Sequence, residues 1–153
     1  MNGLGHILLV EDNPDDYEST VRSFKEANLL NPLHWSQSGE DALDYLHKRG
    51  RYNGDPAVVI PKLILLDLNM PGMDGRRTLQ SIKTDLRLRA LPVVVLTTSS
   101  DPNDINKCYD LGAATYIQKP VGFQGLIEAA RRLKGYWFGI AIFPEVLPAL
   151  QLT

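Results

Sequence analysis

Three short runs of uninterrupted apolar residues restrict the fold more than any other feature of the sequence. They occupy residues 7–10, 63–66 and 93–96. No polar residue alternates within them, so both faces of each run must be buried, as in central parallel strands covered by helices on both sides. Residues 33–37 and 115–118 are two further strand candidates, and longer amphipathic segments follow the strands. The alternation predicts an α/β fold with five βα units and a doubly wound sheet.

The length of 153 residues and the hydrophobic fraction of 44% are typical of one compact globular domain. We assign residues 1–138 to this domain and residues 139–153 to an apolar C-terminal extension. The net charge of -2 argues against nucleic-acid binding. A single cysteine excludes an internal disulfide, and no signal peptide or membrane-length apolar run is found. We therefore expect a cytoplasmic protein that neither enters nor crosses a membrane.

Polar side chains follow four of the five predicted strands. Parallel doubly wound sheets bind ligands at the carboxyl ends of their strands, so these side chains should converge on one edge of the sheet. The residues concerned are Glu11, Asp12, Asp67, Asn69, Thr97 and Lys119. Taken singly, each has an ordinary structural explanation: an acidic residue beside Asn13 and Pro14 caps a helix, and an aspartate after a strand belongs to a turn. If each residue had only its separate structural role, nothing would require all six to lie at the carboxyl ends of the strands. Their common position therefore favours a shared functional site.

Crowded carboxylates repel one another unless a cation is present, and an oxygen-rich site with free coordination positions suits Mg²⁺. Such a magnesium site commonly serves phosphoryl transfer, because phosphate oxygens replace its water ligands. Lys119 would neutralise one phosphoryl oxygen and the Thr97 hydroxyl would donate a hydrogen bond to another. The sequence thus predicts a magnesium-dependent phosphoryl site.

Four separated segments of the sequence resemble the receiver domains of two-component response regulators. They are residues 7–13 (ILLVEDN), 65–75 (LLDLNMPGMDG), 92–97 (PVVVLT) and 112–120 (GAATYIQKP). The resemblance implies a flavodoxin-like sheet with strand order 2-1-3-4-5 and five helices. It also implies a phosphoacceptor signalling protein, which catalyses only its own phosphorylation and dephosphorylation, with a histidine kinase as its partner.

The resemblance further assigns roles to individual residues. It makes Asp67 the phosphoacceptor and a metal ligand, Asp12 a direct Mg²⁺ ligand, Glu11 a ligand acting through water, and the carbonyl oxygen of Asn69 another ligand. Lys119 would contact the phosphoryl group.

For the conformational switch, the resemblance implies that Thr97 is drawn toward the phosphate and that Tyr116 changes rotamer in response. It also implies a cis peptide bond between Lys119 and Pro120.

Within this family, the long connector of residues 49–61, the turn at residues 96–99 and the ending at residues 136–138 resemble single-domain regulators paired with bacterial and cyanobacterial phytochromes. A phytochrome-type photoreceptor kinase is therefore the expected partner. The apolar extension predicts a homodimer, since exposed apolar segments usually mark interfaces. The alternative is that the extension folds back over its own chain.

One enzymatic alternative is a magnesium-dependent phosphatase of the haloacid dehalogenase type, which also uses an aspartate after a parallel strand. That class needs a second aspartate two positions later as general acid. Asn69 occupies this position here, and an amide cannot deliver a proton.

Overall fold

The computed structural model describes residues 4–145. The second half of the predicted C-terminal extension, residues 146–153, lies outside the described part. Five strands alternate with five α-helices, in agreement with the predicted α/β class. In chain order the elements are β1 (Ile7–Val10), α1 (Pro14–Glu26), β2 (Leu33–Ser36), α2 (Gly39–His47), β3 (Leu63–Leu66), α3 (Gly75–Thr84), β4 (Val93–Thr97), α4 (Pro102–Leu111), β5 (Thr115–Gln118) and α5 (Phe123–Trp137).

All strand pairs are parallel, and the order across the sheet is β2-β1-β3-β4-β5. The order expected from the family resemblance is therefore confirmed. Val10 lies beside Leu66 in the register of β1 and β3, so the chain leaves both strands at the same level. Thr97 lies beside Gln118 at the ends of β4 and β5. This register fixes which polar residues meet at the carboxyl edge.

The apolar strands are buried on both faces because successive side chains point to opposite sides of the sheet. Leu8 and Val10 belong to a core that also contains residues of α2, α3 and α4. Ile7 and Leu9 belong to a second core formed with residues of α1 and α5. Each strand thus contributes alternately to two cores, which explains why its run contains no polar position.

Two segments have little regular structure in the described region: the connector at residues 49–61 and the chain that follows α5. The connector at residues 49–61 contains only a short 3-10 turn at Gly50–Tyr52. After α5 ends at Trp137, the chain continues without a further helix or strand as far as residue 145. Phe143 turns back and stacks on Trp137, with 5.9 Å between ring centroids. None of the described helices is long and apolar enough to span a membrane.

The structure shows which residue caps α1, and it corrects the expectation of a cis peptide bond between Lys119 and Pro120. The side chain that caps α1 is that of Asn13, which accepts hydrogen bonds from the backbone amides of Asp15 and Asp16 at 2.8 and 3.1 Å. The peptide bond between Lys119 and Pro120 is trans, since no cis bond occurs in the described region. Proline lowers the cost of the cis form without imposing it.

Candidate phosphoryl-transfer site

The acidic cluster predicted from the sequence forms at the carboxyl edge of the central strands. Glu11 and Asp12 follow β1, and Asp67 follows β3. One carboxylate oxygen from each residue lies within 4.8 Å of the other two. The Asp67 amide donates to the Val10 carbonyl at 3.0 Å, which continues the parallel pairing for one residue and holds Asp67 beside Glu11.

Lys119 reaches the same cluster from the end of β5. Its ammonium lies 2.7 Å from Glu11 Oε1 and 3.9 Å from Asp67 Oδ2. The backbone amide of Lys119 donates to the Thr97 carbonyl at 2.6 Å, so the sheet itself positions the base of this side chain. Glu11, Asp67 and Lys119 are thereby brought together from three different strands.

Burial shifts the pKa values of two groups in this cluster, Glu11 and Lys119. Burial raises the pKa of Glu11 to about 7, although the ion pair with Lys119 acts in the opposite direction. Burial lowers the pKa of Lys119, but the hydrogen bond to Glu11 and the nearby carboxylate charges outweigh this effect and leave the pKa raised. The buried Glu11 carboxylate therefore carries an electrostatic cost in its charged form, and a bound cation would relieve this cost.

The donor set fits a hard divalent cation. Three carboxylates with oxygens this close provide the ligand type that Mg²⁺ and related ions prefer, and one edge of the cluster remains open because Asp12 is only half-buried. A site with few protein ligands keeps coordination positions for other oxygens. The acidic cluster is therefore suited to hold a metal ion and a phosphoryl group together.

The remaining predicted residues line the adjacent side of the site. The Asn69 side-chain amide donates to Thr97 Oγ1 at 3.4 Å, so these two residues face each other. Thr97 is fully buried, whereas Asn69 is exposed. Tyr116 lies farther along, on β5. Its hydroxyl donates to the Ser99 carbonyl at 2.9 Å, and its ring packs against the core on the side of α2, α3 and α4.

Three residues around the site were not identified from the sequence. Trp35 donates from its indole nitrogen to the Glu11 carbonyl at 2.7 Å and stacks on Tyr17 with 3.8 Å between ring centroids. Asp16 lies 3.8 Å from the Lys119 ammonium. Gly75 contacts the backbone that follows β3 so closely that a Cβ there would overlap the Asp67 carbonyl oxygen. No local pattern marks these residues, because each contact joins separate elements.

A doubly wound sheet with an acidic cluster and a lysine at its carboxyl edge defines a class of phosphoacceptor signalling domains. The model of the response regulator receiver domain family matches residues 7–131. The chain belongs to this family. The receiver domain is a phosphoacceptor signalling domain and partners histidine kinases, which sets aside the phosphatase alternative.

Two curated relatives illustrate the similarity. The probable methanogenesis regulatory protein FilR2 of Methanothrix harundinacea is 38% identical over 135 residues, covering 87% of this chain and 83% of the relative. The response regulator Rcp1 of Synechocystis is 34% identical over 138 residues, covering 90% and 92%.

Solved structures of response regulators are also similar to this chain. The phosphorylated cyanobacterial phytochrome response regulator RcpA has a TM-score of 0.85 at 34% identity and covers 94% of this chain and 100% of its own. A response regulator in red-light signalling of R. palustris has a TM-score of 0.88 at 32% identity, covering 94% and 100%. The Mn²⁺-bound form of Rcp1 has a TM-score of 0.82 at 33% identity and covers 92% and 99%. The structural relatives thus include phytochrome-associated regulators and a form that binds a divalent cation.

Proposed function

We propose that this protein is a single-domain response regulator that accepts a phosphoryl group from a histidine kinase on Asp67. One observation supports this above all: Asp67 Oδ2, at the end of the central strand, lies 3.9 Å from the ammonium of Lys119 and next to two further carboxylates. Asp67 is 7% exposed, so it is shielded from bulk water while its carboxylate faces the cluster.

In the proposed reaction, a carboxylate oxygen of Asp67 forms a bond to phosphorus as the bond between phosphorus and the kinase histidine nitrogen breaks. The imidazole keeps the electron pair of that bond. Lys119 exchanges its contact with Glu11 for a phosphoryl oxygen, and the Thr97 hydroxyl donates to another oxygen. Both residues act on charge carried by the transferred group, which is where such donors have their largest effect.

For the cofactor we propose Mg²⁺, held by Glu11, Asp12, Asp67 and the carbonyl of Asn69. When bound, the ion supplies positive charge to the carboxylates and binds a phosphoryl oxygen. Excess chelator is expected to stop phosphorylation, and added Mg²⁺ should restore it. An unchanged rate in excess chelator would refute the requirement. Asp12→Ala should weaken Mg²⁺ binding more than Glu11→Ala if Asp12 binds directly and Glu11 through water.

The phosphoacceptor is tested by Asp67→Asn, which preserves shape and removes the nucleophilic carboxylate. With radiolabelled kinase or a small phosphodonor, wild type should be labelled and Asp67→Asn should not. Asp110→Asn, on the exposed face of α4, is the matched control and should be labelled like wild type. Full labelling of Asp67→Asn would show that another residue carries the phosphate.

For the partner we propose a phytochrome-type histidine kinase. The support is the similarity to RcpA, to the R. palustris red-light regulator and to the bacteriophytochrome response regulator AtBRR, which is 39% identical with a TM-score of 0.72 and covers 93% of this chain and 99% of its own. Transfer from a panel of autophosphorylated kinases should be fastest from phytochrome kinases. Faster transfer from a kinase without a photoreceptor domain would contradict this pairing.

We also propose that the C-terminal extension mediates homodimer formation. Ile140 and Ile142 are 76% and 95% exposed, and such apolar side chains favour burial against another surface. The stacking of Phe143 on Trp137 supports the alternative, in which the extension folds back on its own chain. Truncation after Gly139 leaves α5 intact and should convert a sedimenting dimer to a monomer. A full-length protein that stays monomeric at high concentration, phosphorylated or not, would exclude the dimer.

A further inference from the structure

Lys119 contacts three carboxylates, and one of them lies outside the acidic cluster. Its ammonium is 2.7 Å from Glu11, 3.9 Å from Asp67 and 3.8 Å from Asp16. Glu11 and Asp67 belong to the cluster that suits a cation. Asp16 belongs to the first turn of α1 and its side chain is 53% exposed. The third carboxylate that contacts Lys119 is therefore the Asp16 carboxylate, which is open to solvent.

Helix capping alone does not explain this contact. Acidic residues in the first turn of α1 are favoured by the helix dipole, and this requirement applies equally to Asp15 and Asp16. Both backbone amides donate to the Asn13 side chain. Of Asp15 and Asp16, only Asp16 has its carboxylate within ion-pair distance of Lys119 among the residues described. Asp15 is consequently a natural internal control for the charge of Asp16.

Lys119 also lines an open space that Glu11, Asp12 and Asp67 do not line. Asp16 and Lys119 line a cavity of about 270 Å³ together with Ser19, Thr98 and Phe123. The ammonium thus contacts Glu11 and Asp67 within the cluster, and also Asp16, which lines this cavity and lies outside the cluster. A pull toward Asp16 acts against the movement that would bring Lys119 onto a phosphoryl group at Asp67.

We propose that Asp16 is a positioning residue that competes with the incoming phosphoryl group for Lys119 and thereby slows phosphorylation of Asp67. This inference rests on the proposed role of Asp67 as phosphoacceptor. The transferred group is anionic, so the Asp16 carboxylate both competes for the ammonium and repels the donor. A partly exposed pair of this kind has a modest effect, and removing it should change the rate about threefold.

The test uses full-length protein with Mg²⁺ and acetyl phosphate. In this reaction an Asp67 oxygen bonds to phosphorus, the bond from phosphorus to the acetyl oxygen breaks, and acetate leaves with the electron pair. Asp16→Asn and the matched control Asp15→Asn each remove one negative charge from the first turn of α1. Asp16→Asn should raise the maximal rate at saturating donor about threefold, whereas Asp15→Asn should affect only the donor concentration needed for half-saturation.

The salt dependence of the rate distinguishes a direct Asp16–Lys119 contact from a general effect of negative charge near the site. At about 0.5 M salt the Debye length is roughly 4 Å, so the effect of Asp15→Asn should disappear, while much of the gain from Asp16→Asn should remain. Asp16→Glu should return the rate toward that of wild type. The proposal would be overturned if the two asparagine variants had equal maximal rates both at low salt and at about 0.5 M salt. It would also be overturned if Asp16→Asn were phosphorylated more slowly than wild type. If wild type itself is not phosphorylated at Asp67, the proposed function fails instead.

Discussion

Replacing Trp35 by phenylalanine tests how strongly the edge strand β2 supports the acidic cluster. The Trp35 indole nitrogen donates to the backbone carbonyl of Glu11 at 2.7 Å, and the Glu11 amide donates to the Ser36 carbonyl at 3.0 Å. The indole hydrogen bond therefore orients the peptide that joins Glu11 to Asp12. Phenylalanine keeps an aromatic ring against Tyr17 and removes only this donor and part of the ring volume.

The expected effect follows from the loss of one hydrogen bond in a partly buried setting. A buried acceptor left without a donor costs about 1–3 kcal/mol, so the free energy of unfolding should fall by about 2 kcal/mol. Residues that orient metal ligands typically change metal affinity by about 10-fold or more. We therefore expect Trp35→Phe to weaken Mg²⁺ binding about 10-fold, because the backbone between two carboxylate ligands becomes free to move.

Urea unfolding followed by far-ultraviolet circular dichroism measures stability, and titration calorimetry measures Mg²⁺ binding. Trp137→Phe is the matched control, since it removes the other tryptophan. Trp137 lies at the end of α5 and lines a cavity with His6 and Lys62, which precede β1 and β3 and so lie at the opposite edge of the sheet. It should change stability without changing Mg²⁺ affinity. Equal Mg²⁺ affinity of wild type and Trp35→Phe would refute the reasoning.

Three further predictions concern packing, pH and switching. Gly75→Ala places a methyl group against the backbone that follows β3 and should lower the free energy of unfolding in urea by about 2 kcal/mol. The control is Gly135→Ala, which lies in open space on α5 and should be neutral or stabilising. Burial lowers the pKa of His34, so as the pH falls below about 6.5 the unfolded chain binds a proton at this residue before the folded chain does, and the free energy of unfolding should decrease. His34→Phe should show a smaller decrease in the free energy of unfolding between pH 6.5 and about 5. The same decrease as in wild type would exclude this role. Thr97→Ala should still accept phosphate yet fail to change self-association or partner binding, and a normal response would refute coupling of Thr97 to Tyr116.

The sequence predicted the elements because their signals are local. A run such as Leu63–Leu66 must be buried on both faces, and both cores are built from alternate positions of such runs. The connector at residues 49–61 contains Gly, Pro and Asn residues, which favour turns and loops, and it has little regular structure. The strand order came from the family resemblance, since periodicity alone does not say which strands are neighbours.

For the site, the sequence by itself determined which side chains follow the ends of the parallel strands. That was enough to predict that Glu11, Asp67 and Lys119 converge, because parallel strands share one carboxyl edge. Only the tertiary structure decided which residues support them. The contacts of Trp35 with Glu11 and of Asp16 with Lys119 depend on strand register and on how α1 packs against the sheet. Contacts between elements leave no mark in local sequence, so the supporting residues of this site became visible only once the chain was folded.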